Sequence, residues 1–252
     1  MRLTKTSKSG CSVIRYLRRS QDSSLLWELK SKSVCASTEE ELSKWLIKNP
    51  FKGNQHRAVF AAKQLYGKGQ RGKDWFSPRG GVWVSAAMPF EEKNNQSPEL
   101  LGMALALALS ERLESQNIQV KIKWPNDLIV ENKKIAGLLP RLIYRGNTIL
   151  FARVGLGLNI TNNVPKEAIS ISQILKRCDS KVDFWSAEVL LSFEKAMELI
   201  SSPENLCKDV ESRFWSKKIN YSGLNWDIDG ISIDGALRIS NGSKSELLRR
   251  WN

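Results

Sequence analysis

"VKIKWPNDLIVENKKIAGLLPRLIYRGNTILFARVGLGLNI" runs from Val120 to Ile160. It divides into three β-rich runs, "VKIKWPNDLIV", "KIAGLLPRLIY" and "NTILFARVGLGLNI", with turns at Glu131–Lys133 and Arg145–Asn147. Connections this short leave no room for a crossover helix, so the runs should pair antiparallel. The stretch before them, "SPELLGMALALALSERLESQ", reads as a helix. Ser97 caps it, Pro98 takes the first helical position and Glu99 complements the dipole. It is apolar nearly all round and should be buried against a sheet. A buried helix beside antiparallel runs is an α+β pattern.

Further out, "RAVFAAKQL" (Arg57–Leu65) and "GVWVSAAM" (Gly81–Met88) read as strands leading into and out of a glycine-rich loop, "YGKGQRGKDWFSPRGG". "STEEELSKWLIKNP" reads as a helix. Ser37 or Thr38 caps it, Glu40 or Glu41 completes a capping box, and Asn49-Pro50 stops it. A strand is expected at "LLWELKSKSV", a helix at about Phe184–Ile200, and another started by Ser202-Pro203-Glu204. Three regions are expected: a poorly ordered extension over 1–24, a main domain over 25–218, and a β-rich segment over 219–252. The last is too small to stand alone and should pack on the main domain.

The 252 residues are 41% hydrophobic, with no apolar run long enough to span a membrane. The basic, polar N-terminus lacks the apolar centre of a secretion signal. Cys11, Cys35, Cys178 and Cys207 show no metal spacing, and free thiols in a reducing cytoplasm are the expectation. His56 is the single histidine, which argues against a Ser–His–Asp triad or a His-based metal site. The net charge of +13 attracts anions, but the cations are scattered. Neither a basic tail nor a recognition helix is evident, so DNA binding is not expected.

Three segments carry chemistry. In the loop, Gly67, Gly69 and Gly72 alternate with Lys68, Gln70, Arg71 and Lys73. Glycines let backbone N–H groups turn toward an anion and cations neutralise it, so a pyrophosphate or acyl-phosphate is a natural ligand. A solvated basic loop fits this composition equally well. The pattern is not a P-loop, and the strand that follows excludes a dinucleotide fingerprint. In "KWPNDL", Lys123 ends a strand and would point into any cleft bordering it. Alternatively Lys123 is a surface cation, with Asn126 and Asp127 ordinary turn formers. In "GLGLNI" two glycines allow close backbone approach or a bulge.

Taken together, "GKGQRGKDWFSPRGG", "KWPNDL", "KKIAGLL" and "GLGLNI", in this order and at these separations, resemble the biotin protein ligases. The resemblance covers about Trp27 to Ile160. It extends to Ser37 and Thr38 in "CASTEEEL" and to Gln64 ahead of the loop. It implies a central mixed, mainly antiparallel sheet flanked by helices, like class II aminoacyl-tRNA synthetases, and an ATP-dependent ligase. Biotin would be activated to biotinyl-5′-AMP and passed to a lysine of a biotin carboxyl carrier protein, an acetyl-CoA carboxylase subunit. Magnesium is expected with ATP, with no metal ligand nameable. A monomer or homodimer in the cytoplasm is expected.

By the same resemblance, Lys123 and Lys68 contact the biotin carboxylate and the phosphate, and Arg71 and Lys73 are further loop cations. Ser37, Thr38 and Gln64 match ureido-side contacts. Glu39, Gly69, Gln70 and Gly137 complete the expected biotin site, with Leu138 and Trp83 as walls and Trp75 assigned to core. Asp127 is expected to polarise the acceptor amine. Gly67, Gly69, Gln70, Asn126 and Asn159 are expected to join Lys68, Arg71 and Lys123 at the nucleotide.

The chain departs from the family in three places. Glu39 stands where asparagine is usual, "LLPRL" replaces a run ending in glutamate, and Gln70 stands where arginine is common. Gln70 lacks a full charge. The expectation is weaker retention of the adenylate, partly compensated by Arg71 or Arg79. About 26 residues precede the catalytic region, too few for a winged helix-turn-helix, so a monofunctional ligase is expected. The C-terminal "DGISIDGALRIS" resembles a shortened SH3-like domain. Rival readings are a lipoate or octanoate ligase, a basic nucleic-acid-binding protein and an inactive interaction module.

Overall fold

The structure is a computed structural model that describes Val13 and residues 27–50, 55–90, 97–176 and 180–249. The expected extension over 1–24, Val13 apart, lies outside the described residues, as do Cys11 and Cys178.

Seven strands form the main sheet: β1 (Trp27–Lys32), β2 (His56–Ala61), β3 (Val82–Met88), β4 (Lys121–Lys123), β5 (Asp127–Val130), β6 (Lys133–Arg145) and β7 (Thr148–Leu158). Their order is β1-β2-β3-β7-β6-β5-β4. The β4–β7 meander is antiparallel, as its short turns require. β1 and β2 are parallel, because helix α1 (Thr38–Lys48) carries the chain back between them. The sheet is therefore mixed and mainly antiparallel, and the fold is α+β.

β3 is buried at every position, as a central strand covered on both faces must be. Its alternation separates two layers. Val82, Val84, Ala86 and Met88 join the main core with helices α2 (Pro98–Glu114) and α4 (Val182–Leu199). Ala87 belongs to a smaller cluster with Leu42 and Trp45 of α1. In α2, Leu101, Met103, Leu105, Leu107 and Leu109 are wholly buried. Truncating any of these leucines to alanine costs about 2–5 kcal/mol. Gly102 lets Pro140 of β6 pack on α2, which gives the unusual "LLPRL" a structural role.

Some local expectations need correction. Ser37 is the α1 cap, accepting from the Glu39 N–H at 3.2 Å, and Thr38 is the first helical residue. The capping box does not form: Glu40 pairs with Lys44 and Glu41 with Lys32. β2 ends at Ala61, and Gln64 then bridges to Cys35. A short helix, α3 (Ile171–Leu175), went unread; Ser170 and Gln173 form a capping box there.

Helix α5 (Pro203–Ser212) leads to a second sheet of β8 (Lys218–Tyr221), β9 (Leu224–Ile231), β10 (Leu237–Asn241) and β11 (Lys244–Leu248), all antiparallel. Its β9–β10 turn docks on the main domain. Trp124 donates to the Gly235 carbonyl at 3.0 Å, and Ser97 donates to that of Asp234. Gly235 has φ +89°, and a Cβ there would come within 2.6 Å of the Leu100 nitrogen. Among the described residues no helix is long and apolar enough to cross a membrane.

Candidate functional site

Strand register builds the site. Gly157 faces Gly137, Gly137 faces Asp127, and Asp127 faces Lys123. Directly opposed residues share a face, so these four form one row across the sheet. In the next row Gly155 faces Ser85. The glycines clear a trough over the sheet, within a cavity of about 610 Å³. Trp75 lies on its floor: Cβ atoms at Gly157 and Gly137 would meet the indole at 2.4 and 2.9 Å. Trp75 is therefore part of the site and not core. Its Nε1–H is buried without a hydrogen-bond partner among the described residues.

One end of the trough is polar. The Thr38 N–H and hydroxyl both donate to Gln64 Oε1, at 2.7 and 3.0 Å. Thr38 has one hydroxyl proton and Gln64 takes it, so Ser85, 2.8 Å away, donates to Thr38. Gln64 Nε2 donates to Ser77 at 2.9 Å, and Ser77 donates to the Trp75 carbonyl at 3.0 Å. Glu39 sits beside this chain, its Oε2 3.0 Å from Arg153 Nε.

The other end is charged. The Lys123 ammonium lies 4.8 Å from the centre of the Trp215 ring. The Trp215 N–H donates to the Ile122 carbonyl at 2.9 Å and its indole to Asn132 at 3.0 Å, fixing the ring there. Lys134 pairs with Asp127 at 2.7 Å and lies 4.8 Å from the Trp75 ring centre. Asn126 donates to the Leu138 carbonyl. Asn159 donates to the Lys134 carbonyl at 3.4 Å and accepts from Asn162 at 3.0 Å.

The glycine-rich loop covers the trough as a small hairpin. Gly69 donates to the Lys73 carbonyl at 2.7 Å, and Arg71 (φ 56°) and Gly72 (φ 72°) make its tip. Lys68 pairs with Asp74 at 2.6 Å, although both are exposed. Burial pushes the thiols of Cys35 and Cys207 up, Cys207 to about 11, so neither is primed as a nucleophile.

Of the expected residues, Ser37, Thr38, Glu39, Gln64, Lys68, Gly69, Gln70, Arg71, Lys73, Lys123, Asn126, Asp127, Gly137, Leu138 and Asn159 all line this cavity. Gly67 does not. A Cβ there would strike Ser77 Oγ and the Trp75 carbonyl at 2.6 Å, so it serves close packing. Trp83 is wholly buried and donates to the Pro78 carbonyl; with Arg79 it borders a separate cavity near the start of α4. Arg79 is thus badly placed to compensate for Gln70. Sequence reading missed Ser85, Arg153 and Trp215, which lie outside the motifs, and Ser77 and Lys134, which lie inside them but carry no sign of which way they face.

Comparison with known proteins gives a consistent result. The model of the biotin/lipoate A/B protein ligase family matches residues 24–159, more than half the chain. A bifunctional ligase/repressor of Bacillus subtilis is 31% identical over 144 residues, 54% of this chain and 44% of its own length. Biotin–protein ligase 2 of Arabidopsis thaliana is 30% identical over 195 residues, 66% of this chain and 57% of its own. The chain thus spans about half the length of these relatives. A biotin protein ligase of Aquifex aeolicus, solved with biotin and ATP, has the same fold. Its TM-score is 0.71 at 24% identity, covering 90% of this chain and 96% of the other. The chain belongs to the biotin/lipoate A/B protein ligase family.

Proposed function

We propose that the chain is a biotin protein ligase. The observation that carries this is the trough, with hydrogen-bonding groups at one end, a glycine floor in the middle and cations at the other. Biotin has that order of chemistry: a cyclic urea, an apolar ring and chain, and a carboxylate. Lipoate's dithiolane has neither the N–H nor the carbonyl of a cyclic urea, so a pocket end lined with hydrogen-bonding groups disfavours the lipoate reading.

In the first step the biotin carboxylate attacks the α-phosphorus of ATP and pyrophosphate leaves. Two anions must meet, and Lys123, Lys68, Arg71 and Lys73 offset their repulsion. Gln70 and Gly69 bring loop backbone to the ligand, while Asn126 and Asn159 hold the walls on the nucleotide side. Magnesium would arrive on the ATP phosphates; among the described residues no three metal-ligating side chains gather. The loop, once closed over the ligand, would shield the anhydride from water.

In the second step a carrier-protein lysine attacks the biotinyl carbonyl and AMP leaves. Asp127 orients the incoming amine, held by Lys134. The substrate carboxylate and the acceptor amine are the nucleophiles, so no side chain need be one. The acceptor is a biotin carboxyl carrier protein in the cytoplasm, and residues 25–218 form the catalytic domain. The test is incubation of the chain with ATP, magnesium, a carrier domain and either biotin or lipoate, followed by mass spectrometry. Biotin on the carrier lysine is expected. An unmodified carrier, with lipoate transferred instead, overturns the reading.

A further inference from the structure

The polar end of the trough holds one oxygen that nothing among the described residues satisfies. Glu39 is the second residue of α1, and its carboxylate reaches over β7: a Cβ at Gly155 would lie 3.3 Å from Oε1. Gly155 faces Ser85, which bonds Thr38, so Oε1 borders the same polar end. Arg153 holds the carboxylate from behind. Its Nε is 3.0 Å from Oε2, though the N–H does not point along that contact, and its Nη2 donates to the Glu39 carbonyl. Oε1 is buried and has no hydrogen-bond partner among the described residues. A buried, ionised acceptor without a donor is costly, and one clamped by an ion pair cannot swing out to water.

We infer that Glu39 Oε1 is the charged acceptor for an N–H of the ligand's cyclic urea, held in place by Arg153. The inference rests on the biotin reading and adds a specificity-determining residue to it. A ligand ring with an N–H satisfies the oxygen; a dithiolane leaves it stranded. The same charge should favour a cyclic guanidinium over the neutral urea more than a neutral amide would. The Glu39 that breaks the family's usual asparagine pattern is then a strengthened contact.

The test is calorimetric binding to the full chain of biotin, its cyclic guanidine analogue 2-iminobiotin, and lipoate, in wild type and Glu39→Gln. The variant keeps the shape and removes the charge. Biotin affinity should fall about fivefold to tenfold, and that of the protonated guanidine analogue at least about fiftyfold. Thermal melting without ligand checks that the variant folds. Equal losses for the two ligands, or losses below about twofold, overturn the inference. If Glu39→Gln does not fold, the wild type still decides. Its affinity for the analogue relative to biotin should rise as pH falls through the analogue's own pKa, and a fall overturns the inference. Wild type binding lipoate but not biotin ends the ligase reading itself. Biotin binding indifferent to Glu39 ends only this inference.

Discussion

The two ends of the trough are built differently. At the urea end, Thr38, Gln64, Ser77 and Ser85 form one hydrogen-bonded chain, and Thr38, Ser77 and Ser85 are at most 3% exposed. The contacts exist before ligand arrives. At the phosphate end the loop cations stand in solvent: Lys68 is 51% exposed and Asp74, its partner, 87%. The loop is held by a few backbone bonds around its hairpin. The contrast teaches how the work divides. On the proposed reading, a small neutral ring would be recognised by preorganised groups on secondary structure, and a large, highly charged nucleotide would be met by a segment that can rearrange.

That contrast makes graded predictions. Lys123→Ala should have the largest effect, since Lys123 is the cation at the inner end of the trough. Pyrophosphate exchange should fall by about a hundredfold to a thousandfold with melting unchanged. Gln64→Ala breaks the preorganised end. It removes the acceptor of the Thr38 N–H, so biotin affinity should drop by about tenfold and stability by about 1–3 kcal/mol. Equal biotin affinity in calorimetry would show that the hydrogen-bonded chain is structural only. Gln70→Arg acts on the adaptable end and adds a charge. Biotinyl-AMP should leave the enzyme several-fold more slowly, about the effect of one charged hydrogen bond; equal release rates would sink this expectation. Asp74→Asn frees Lys68 from an exposed pair, so the KM for ATP should fall by no more than about fivefold.

The smallest effect concerns the C-terminal turn. The Asp234 carboxyl is held below its usual range: burial works against this, but bonds from Ser232, Arg249 and the Ala236 N–H outweigh it. A depressed carboxylate contributes stability above its unfolded pKa and loses it as pH falls through the folded value. Loosening of the β9–β10 turn should therefore appear only below about pH 4. Hydrogen exchange at Gly235 and Ala236 would report it, and Asp234→Asn should abolish the pH dependence.

Much of this was legible in the sequence because local signals agreed. Ser97, Pro98 and the apolar run of α2 point to one helix, and the short turns around β6 permit little but antiparallel pairing. The site was harder, because it depends on register. Gly137 and Gly157 are far apart in sequence, and only the ladder shows that they adjoin Asp127 and Lys123. Trp75 read as core because an aromatic in a polar loop gives no direction, yet it lies on those glycines. The capping box at α1 failed because Glu40 and Glu41 found lysines instead. Lys134 and Arg153 were missed because alternating strand positions do not declare which cations face a cavity or brace a residue that does.

The most direct test of the central claim is ATP–pyrophosphate exchange with biotin or lipoate as the sole carboxylate. The account predicts exchange with biotin, little with lipoate, and at least about a hundredfold less with biotin in Lys123→Ala. Exchange supported by lipoate and not by biotin would contradict it.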